Sequence, residues 1–196
     1  MKTRQLFIER GLHMLQEGMS SAQEEAKRTR TAQVIEVLNR ARSMELYSVQ
    51  QYMIQHYTLD NMDYGEFAGK IKLIAIDEMR HAEQFAERIK ELGGEPASEL
   101  SSRIVKGQDV RAVFPFDGMV EDGTIDAYNM FLQTCREHGD NVSARLFASI
   151  LEEEQVHINY FNDVAAHIEQ LGDIYLSKIA GSAAEEIPSR GFVSAG

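Results

Sequence analysis

Apolar residues return every three or four positions along four long stretches of this chain, and that period rules out alternating strands. Helices are expected at about 31–57, 64–92, 118–138 and 141–171, with Asp140 or Asn141 capping the last. Prolines stand at 96, 115 and 188, outside those stretches. Gly93-Gly94, Gly139 and Gly172 mark helix ends. "DIYLSKIAG" reads as a short fifth helix, and the small polar residues from Ser182 onward as a loose tail. The links at 60–63 and 137–140 are short enough to make antiparallel neighbours. The link at 93–117 is long enough to run the length of a helix. The expected fold is all-α: a four-helix bundle of two hairpins, one long crossover and a short C-terminal helix.

The two hairpins repeat each other. A shift of 76 positions superposes Ile74 on Ile150, Glu78 on Glu154, His81 on His157 and Phe85 on Phe161. The same shift takes Glu45 to Glu121, Val49 to Ile125 and Tyr52 to Tyr128. One Glu-x-x-His in a Glu-rich chain is uninformative. Two with a shared offset, shared flanks and shared partner glutamates define a repeated two-helix unit.

These polar residues interrupt apolar stripes. Phe67, Ile71, Ile74, Glu78, His81, Phe85 and Ile89 share one helical face; Phe147, Ile150, Glu154, His157, Phe161, Val164 and Ile168 share another. Leu38, Ala41, Glu45, Val49 and Tyr52 line the first helix, and Glu121, Ile125, Tyr128, Leu132 and Cys135 the third. The midpoint between the two glutamates of each hairpin falls inside its turn, so each pair stands level across its hairpin. If the hairpins pack as pseudo-twofold mates, four carboxylates and two imidazoles meet in one layer.

Four buried carboxylates cannot all remain ionised without counter-charge. Two divalent cations would supply it, and carboxylate with imidazole makes two adjacent O/N sites. A purely structural salt-bridge network needs basic residues on the same stripes, and none stands at that level. Two inward Glu and two inward Glu-x-x-His are the ligand scheme of ferritin-like di-iron and di-manganese bundles. The zinc-protease motif fits poorly, because Asp77 and Glu153 occupy the place of its first His.

The bulk composition agrees. The 196 residues are 43% hydrophobic, enough for one cored domain. The formal net charge of −11 disfavours nucleic acid and anionic membrane as partners and attracts cations. A single cysteine, Cys135, excludes an internal disulfide framework and suits a reducing compartment. No apolar run is long enough to span a membrane and no secretory signal is evident, so a cytoplasmic location is expected.

The stretches "RARSMELYSVQQYMIQHY", "IAIDEMRHAEQFAERIKELGGEP" and "ARLFASILEEEQVHINYF" closely resemble the bacterioferritins, nearest to forms from anaerobic sulfate-reducing bacteria. The resemblance covers roughly 31–181. It implies a shell of 24 subunits, built from twofold dimers, that oxidises Fe(II) with oxygen or hydrogen peroxide and stores the ferric product as mineral. It implies di-iron ligands Glu45, Glu78, His81, Glu121, Glu154 and His157, with Glu78 and Glu154 bridging, Glu45 and Glu121 terminal, and Tyr52 beside the centre. It also implies that Met79 ligates an iron porphyrin (haem b or a variant) shared between two subunits. Met79 lies about 100° around the helix from Glu78, on the side of Ala75, Ile76 and Glu83. Thioether ligation raises the iron's potential and suits reduction of stored iron on release, with a small redox protein as donor.

The remaining polar residues read as bland. His13, His56, His138 and His167 are expected at the surface or in the hairpins, and Cys135 as packing. Tyr160 departs from the family, many of whose members have Trp there. Residues 1–30 are expected as an N-terminal extension, 31–181 as the ferritin-like domain and 182–196 as a flexible tail. The family pattern begins near "MSSAQEEAKRTRTA", and "LQEGM" before it suggests translation from Met19, with 1–18 as upstream sequence. The alternative is a short amphipathic helix using Leu6, Phe7, Met14 and Leu15. Two rival functions remain: a rubrerythrin-like di-iron peroxidase, whose usual rubredoxin module one cysteine cannot make, and a non-enzymatic haem-binding assembly.

Overall fold

The computed structural model describes residues 2–183 and 191–193, with backbone alone over 2–19. Five helices are found among them: α1 Lys2–Asn61, α2 Gly65–Glu91, α3 Val110–Glu137, α4 Asn141–Leu171 and α5 Asp173–Ile179. The long helices pair as hairpins, α1 with α2 and α3 with α4.

Local sequence sets most of the boundaries. Asp63 takes a left-handed φ of 67° in the first turn, a conformation Asp tolerates better than most residues. Basic Arg88 and Lys90 end α2 against its negative pole, and Gly93, at φ 81°, carries the chain away. Asp140 caps α4 by accepting from the Val142 and Ser143 amides, and its carboxylate also meets Arg88 Nη2 at 2.9 Å. That contact ties the end of α2 to the start of α4.

Two boundaries differ from the sequence reading. α1 begins at Lys2 rather than near Thr31. Side chains from Ser20 to Arg30 are all exposed, so this stretch carries no apolar stripe by which to recognise it. The backbone of residues 2–18 continues the same helix; the side chains of Leu6, Phe7, His13, Met14 and Leu15 lie outside what is described. α3 begins at Val110, eight positions before the expected Gly118, and so contains Pro115. Proline removes one helical hydrogen bond and crowds the preceding turn. Here Val113 and Phe114, both fully buried, and the Asp109 cap on the Arg111 and Ala112 amides offset that cost.

The crossover therefore spans 92–109 and lies along α1. Asn39 bonds the Glu95 carbonyl and the Ala97 amide. Arg42 donates to the Ala97 carbonyl, Ser43 O accepts from Ser101 N, and Gln51 pairs with the Val105 amide and carbonyl. α5 closes the hairpin-turn end of the α1–α2 pair, where Gly181 N donates to Asp63 O and Tyr64 bridges to Ser182.

The apolar core comes in two parts. One holds Leu59, Phe67, Ile71, Ile74, Phe114, Phe161, Leu176 and Ile179. The other holds Val34, Leu38, Phe85, Ile89, Phe131, Phe147 and Ile150. Tyr52 belongs to the first and Tyr128 to the second. The stripe order puts the Glu and His residues between them, so the polar layer is walled by apolar side chains on both sides. Of the expected tail, 184–190 and 194–196 lie outside the described residues. Gly191–Val193 pack against α2: Phe192 N donates to Leu73 O, and Val193 N to Asp77 Oδ2.

Candidate metal centre

Each of the four long helices contributes one buried glutamate to the layer, and α2 and α4 each add a histidine one turn later. Glu45, Glu78, His81, Glu121, Glu154 and His157 are all buried. His81 Nδ1 lies 3.2 Å from Glu154 Oε1, 3.3 Å from Glu78 Oε2 and 3.7 Å from Glu45 Oε1. His157 Nδ1 lies 3.1 Å from Glu154 Oε2 and 3.3 Å from Glu78 Oε1. Glu78 and Glu154 thus face both imidazoles. Two ligand sets result, Glu45–Glu78–His81–Glu154 and Glu78–Glu121–Glu154–His157, each with donor atoms within 4.8 Å of one another.

The donors are oxygen and imidazole nitrogen, suited to first-row divalent cations. Glu78 Oε1 and Glu154 Oε1 have no hydrogen-bond partner and meet only an imidazole Nδ1, at 3.3 and 3.2 Å. Buried carboxylate oxygens left in this way are costly unless a cation meets them. The layer contains no lysine or arginine to do so. These residues fit a pair of metal ions.

The protonation pattern reflects the same crowding. Burial, then the neighbouring Glu78 and Glu154 charges, pushes the Glu45 and Glu121 carboxyls well above the usual range. Burial also opposes ionised Glu78, but the His157 and His81 imidazoles outweigh it and hold that carboxyl low. Burial disfavours charged imidazole, yet the surrounding carboxylates raise both histidines well above their ordinary value. Where no metal balances the charge, protons do.

The phenols follow the repeat. Tyr52 donates a short hydrogen bond to Glu121 Oε1, and Tyr128 donates one to Glu45 Oε1. Each reaches across to the glutamate of the other hairpin. The family resemblance implies a role beside the centre for Tyr52 alone, although the offset of 76 pairs it with Tyr128. Nor does spacing alone give a role to Asp77 or Glu153. Asp77 Oδ2 lies 3.5 Å from His157 Nε2 and Glu153 Oε2 lies 3.4 Å from His81 Nε2, so each faces the outer nitrogen of the opposite imidazole.

Met79 is 54% exposed on α2, while Glu78 beside it is buried. His56 is buried within the first hairpin, its Nδ1 2.8 Å from Ala68 O. His138 is the C-cap of α3 and His167 is exposed. Cys135 is buried, and burial pushes its thiol up to about 12, the behaviour of a packing residue. Asp117, expected at the end of the crossover, lies fully buried on α3. It takes a 2.7 Å hydrogen bond from Gln55 Nε2, and burial pushes its carboxyl well up. Among the described residues no helix is long and apolar enough to cross a membrane.

Residues 35–171 match the Ferritin-like domain family. The bacterioferritin of Desulfovibrio desulfuricans is 58% identical over 167 residues, which is 85% of this chain and 93% of that protein. The bacterioferritin of Streptomyces coelicolor is 34% identical over 148 residues, 75% of this chain and 89% of that protein. The X-ray structure of the D. desulfuricans bacterioferritin, with its di-iron site in different catalytic states, matches with a TM-score of 0.81 at 56% identity. That match covers 83% of this chain and 95% of the other. A Mycobacterium tuberculosis bacterioferritin structure matches with a TM-score of 0.72 at 30% identity, covering 75% and 93%.

Proposed function

The chain belongs to the bacterioferritin family of ferritin-like proteins, and from that premise we propose that it stores iron and oxidises Fe(II) at its six-ligand centre. The observation that carries this reading is the buried layer of four glutamates and two histidines, whose donor atoms form two adjacent ligand sets with no lysine or arginine among them. The unit concerned is the ferritin-like domain at 31–181. By the family's pattern it assembles as a 24-subunit shell of twofold dimers in the cytoplasm, with the ferric product deposited as mineral inside.

Fe(II) is the substrate. Glu45 and His81 hold one ion, Glu121 and His157 the other, and Glu78 and Glu154 span both. Two Fe(II) give up one electron each; with two protons, these reduce one oxygen to hydrogen peroxide, or one hydrogen peroxide to two waters. The carboxylates offset the charge that grows on the metal, and the apolar walls exclude bulk water. Tyr52 and Tyr128 hold the terminal glutamates in place through their phenolic donors.

Met79 supports a second role. Its exposed thioether is suited to pairing with its equivalent on a second subunit around an iron porphyrin. The residues at hand fit that group: a soft sulfur donor standing out from α2, with partly buried Ile76 nearby on the same helix. A thioether-ligated porphyrin supplies one-electron transfer, suited to reducing stored iron with electrons from a small redox protein.

Aerobic Fe(II) loading of the purified protein, followed by assembly mass and iron count, tests the first role. A large shell retaining many irons per chain is expected, and Glu78→Ala should abolish rapid oxidation while leaving the shell intact. Unchanged oxidation in that variant would remove the centre from the reaction. For the second role, Met79→Leu should lose the porphyrin absorption band in protein made with ample haem, with Fe(II) oxidation preserved. A band of undiminished intensity would exclude Met79 as the ligand.

A further inference from the structure

The pseudo-twofold symmetry of the centre breaks at its outer edge. Asp77 and Glu153 are equivalent under the offset of 76, and each faces the outer nitrogen of one histidine: Glu153 Oε2 hydrogen-bonds His81 Nε2 at 3.4 Å, and Asp77 Oδ2 stands at ion-pair distance, 3.5 Å, from His157 Nε2. Carboxylates so placed orient a metal-ligating imidazole and raise its basicity. Glu153 keeps 34% of its side chain exposed, but Asp77 keeps only 1%. The difference coincides with the return of the chain over Asp77.

Three residues make that cover. Val193 N donates to Asp77 Oδ2 at 2.9 Å, the same oxygen that faces His157 Nε2. Phe192 N donates to Leu73 O at 3.2 Å. The Phe192 ring stands edge-on to His157 at 6.2 Å between centroids and packs on Tyr160 at 5.0 Å. Arg80 Nη1 holds the other oxygen, Asp77 Oδ1, at 3.2 Å. Gly191 passes so close that a Cβ there would lie 1.4 Å from Asp77 Oδ1 and 2.7 Å from Arg80 Nη1. Only a residue without a side chain can follow this path.

We propose that Gly191–Val193 is a positioning strap that clamps Asp77 behind His157 and seals that half of the centre. A cation held by Glu78, Glu121, Glu154 and His157 then leaves more slowly than one held by Glu45, Glu78, Glu154 and His81. The inference rests on the reading of the layer as a dinuclear metal site. The strap acts in two ways: the Val193 amide fixes the rotamer of Asp77, and Phe192 covers the edge of the imidazole from water and chelators. Glu153 supports His81 with neither aid, so the two half-sites differ although their ligands match.

Cobalt(II) gives a test independent of iron oxidation. The full-length protein is loaded without oxygen to two Co(II) per chain, followed by its ligand-field absorption, and chased with a chelator. Two release phases are expected. Gly191→Val, which displaces the strap, and Val193→Pro, which deletes the amide donor, should each speed the slow phase about tenfold or more, the range usual for loss of support behind a ligand. The fast phase should hold, and Glu153→Gln should speed it alone. A single phase in the wild type, or a slow phase unchanged in both strap variants with two Co(II) bound, overturns the strap while leaving the metal centre standing. Failure of the wild type to bind Co(II) at all overturns the metal reading itself, and the strap with it.

Discussion

Glu45 and Glu121 each accept a hydrogen bond from a tyrosine of the opposite hairpin, and these two bonds join the hairpins at the level of the ligands. Removing one leaves a buried carboxyl short of its donor, at a cost of about 1–3 kcal/mol. Tyr128→Phe should therefore lower the unfolding free energy of the metal-free protein by about that much, and Tyr52→Phe by a similar amount. Denaturant unfolding of the two variants reads this directly; a neutral result for both would mean that the phenols do not support the glutamates. Tyr128 illustrates what was legible at this scale. Its equivalence to Tyr52 is written in the spacing, yet its contact with Glu45 depends on which hairpin faces which. Asp77 and Glu153 show the same division, since their positions repeat but their histidines lie on the opposite helix.

At the scale of elements, the cap of α4 carries more than the helix end. Asp140 accepts from the Val142 and Ser143 amides and the Ser143 hydroxyl, and it holds Arg88 of α2. Asp140→Ala should cost about 1–2 kcal/mol through the cap alone. Partial burial works against the Asp140 charge, but the Ser143 and Arg88 contacts outweigh it and hold the carboxyl below the usual range. A lowered folded value means that the stabilisation is complete above the unfolded Asp value of about 3.9 and is lost as pH falls through the folded one. Wild type should thus lose stability over that acid window by more than Asp140→Ala does. Urea titrations across it would show the two curves converging, and parallel curves would rule out the linkage. The caps of α3 and α4 were unequally legible. Asp140 follows a short turn and a glycine, whereas Asp109 lies in a stretch whose Gly, Pro and polar residues read as a connection. The burial of Val113 and Phe114 decided otherwise, and burial belongs to the assembled bundle.

At the scale of the whole molecule, the metal-free centre stores protons on Glu45, Glu121, His81 and His157, all raised above their ordinary values. Divalent cations compete for the same atoms, so loading should release protons and affinity should rise with pH. An indicator dye in weakly buffered protein measures this; metal uptake without acidification would contradict that charge balance. The spacing of apolar residues was sufficient for four long helices, two antiparallel hairpins and a repeated layer of carboxylates and imidazoles. Periodicity is a local property, and each helix carries its own stripe whatever it packs against. Three features depended on distant parts of the chain meeting. The two apolar cores close around the layer, the tyrosines cross between hairpins, and Gly191–Val193 settle on Asp77. Such contacts join residues as far apart as 77 and 193, and no local pattern marks them, because their stability comes from the surface that the folded bundle presents.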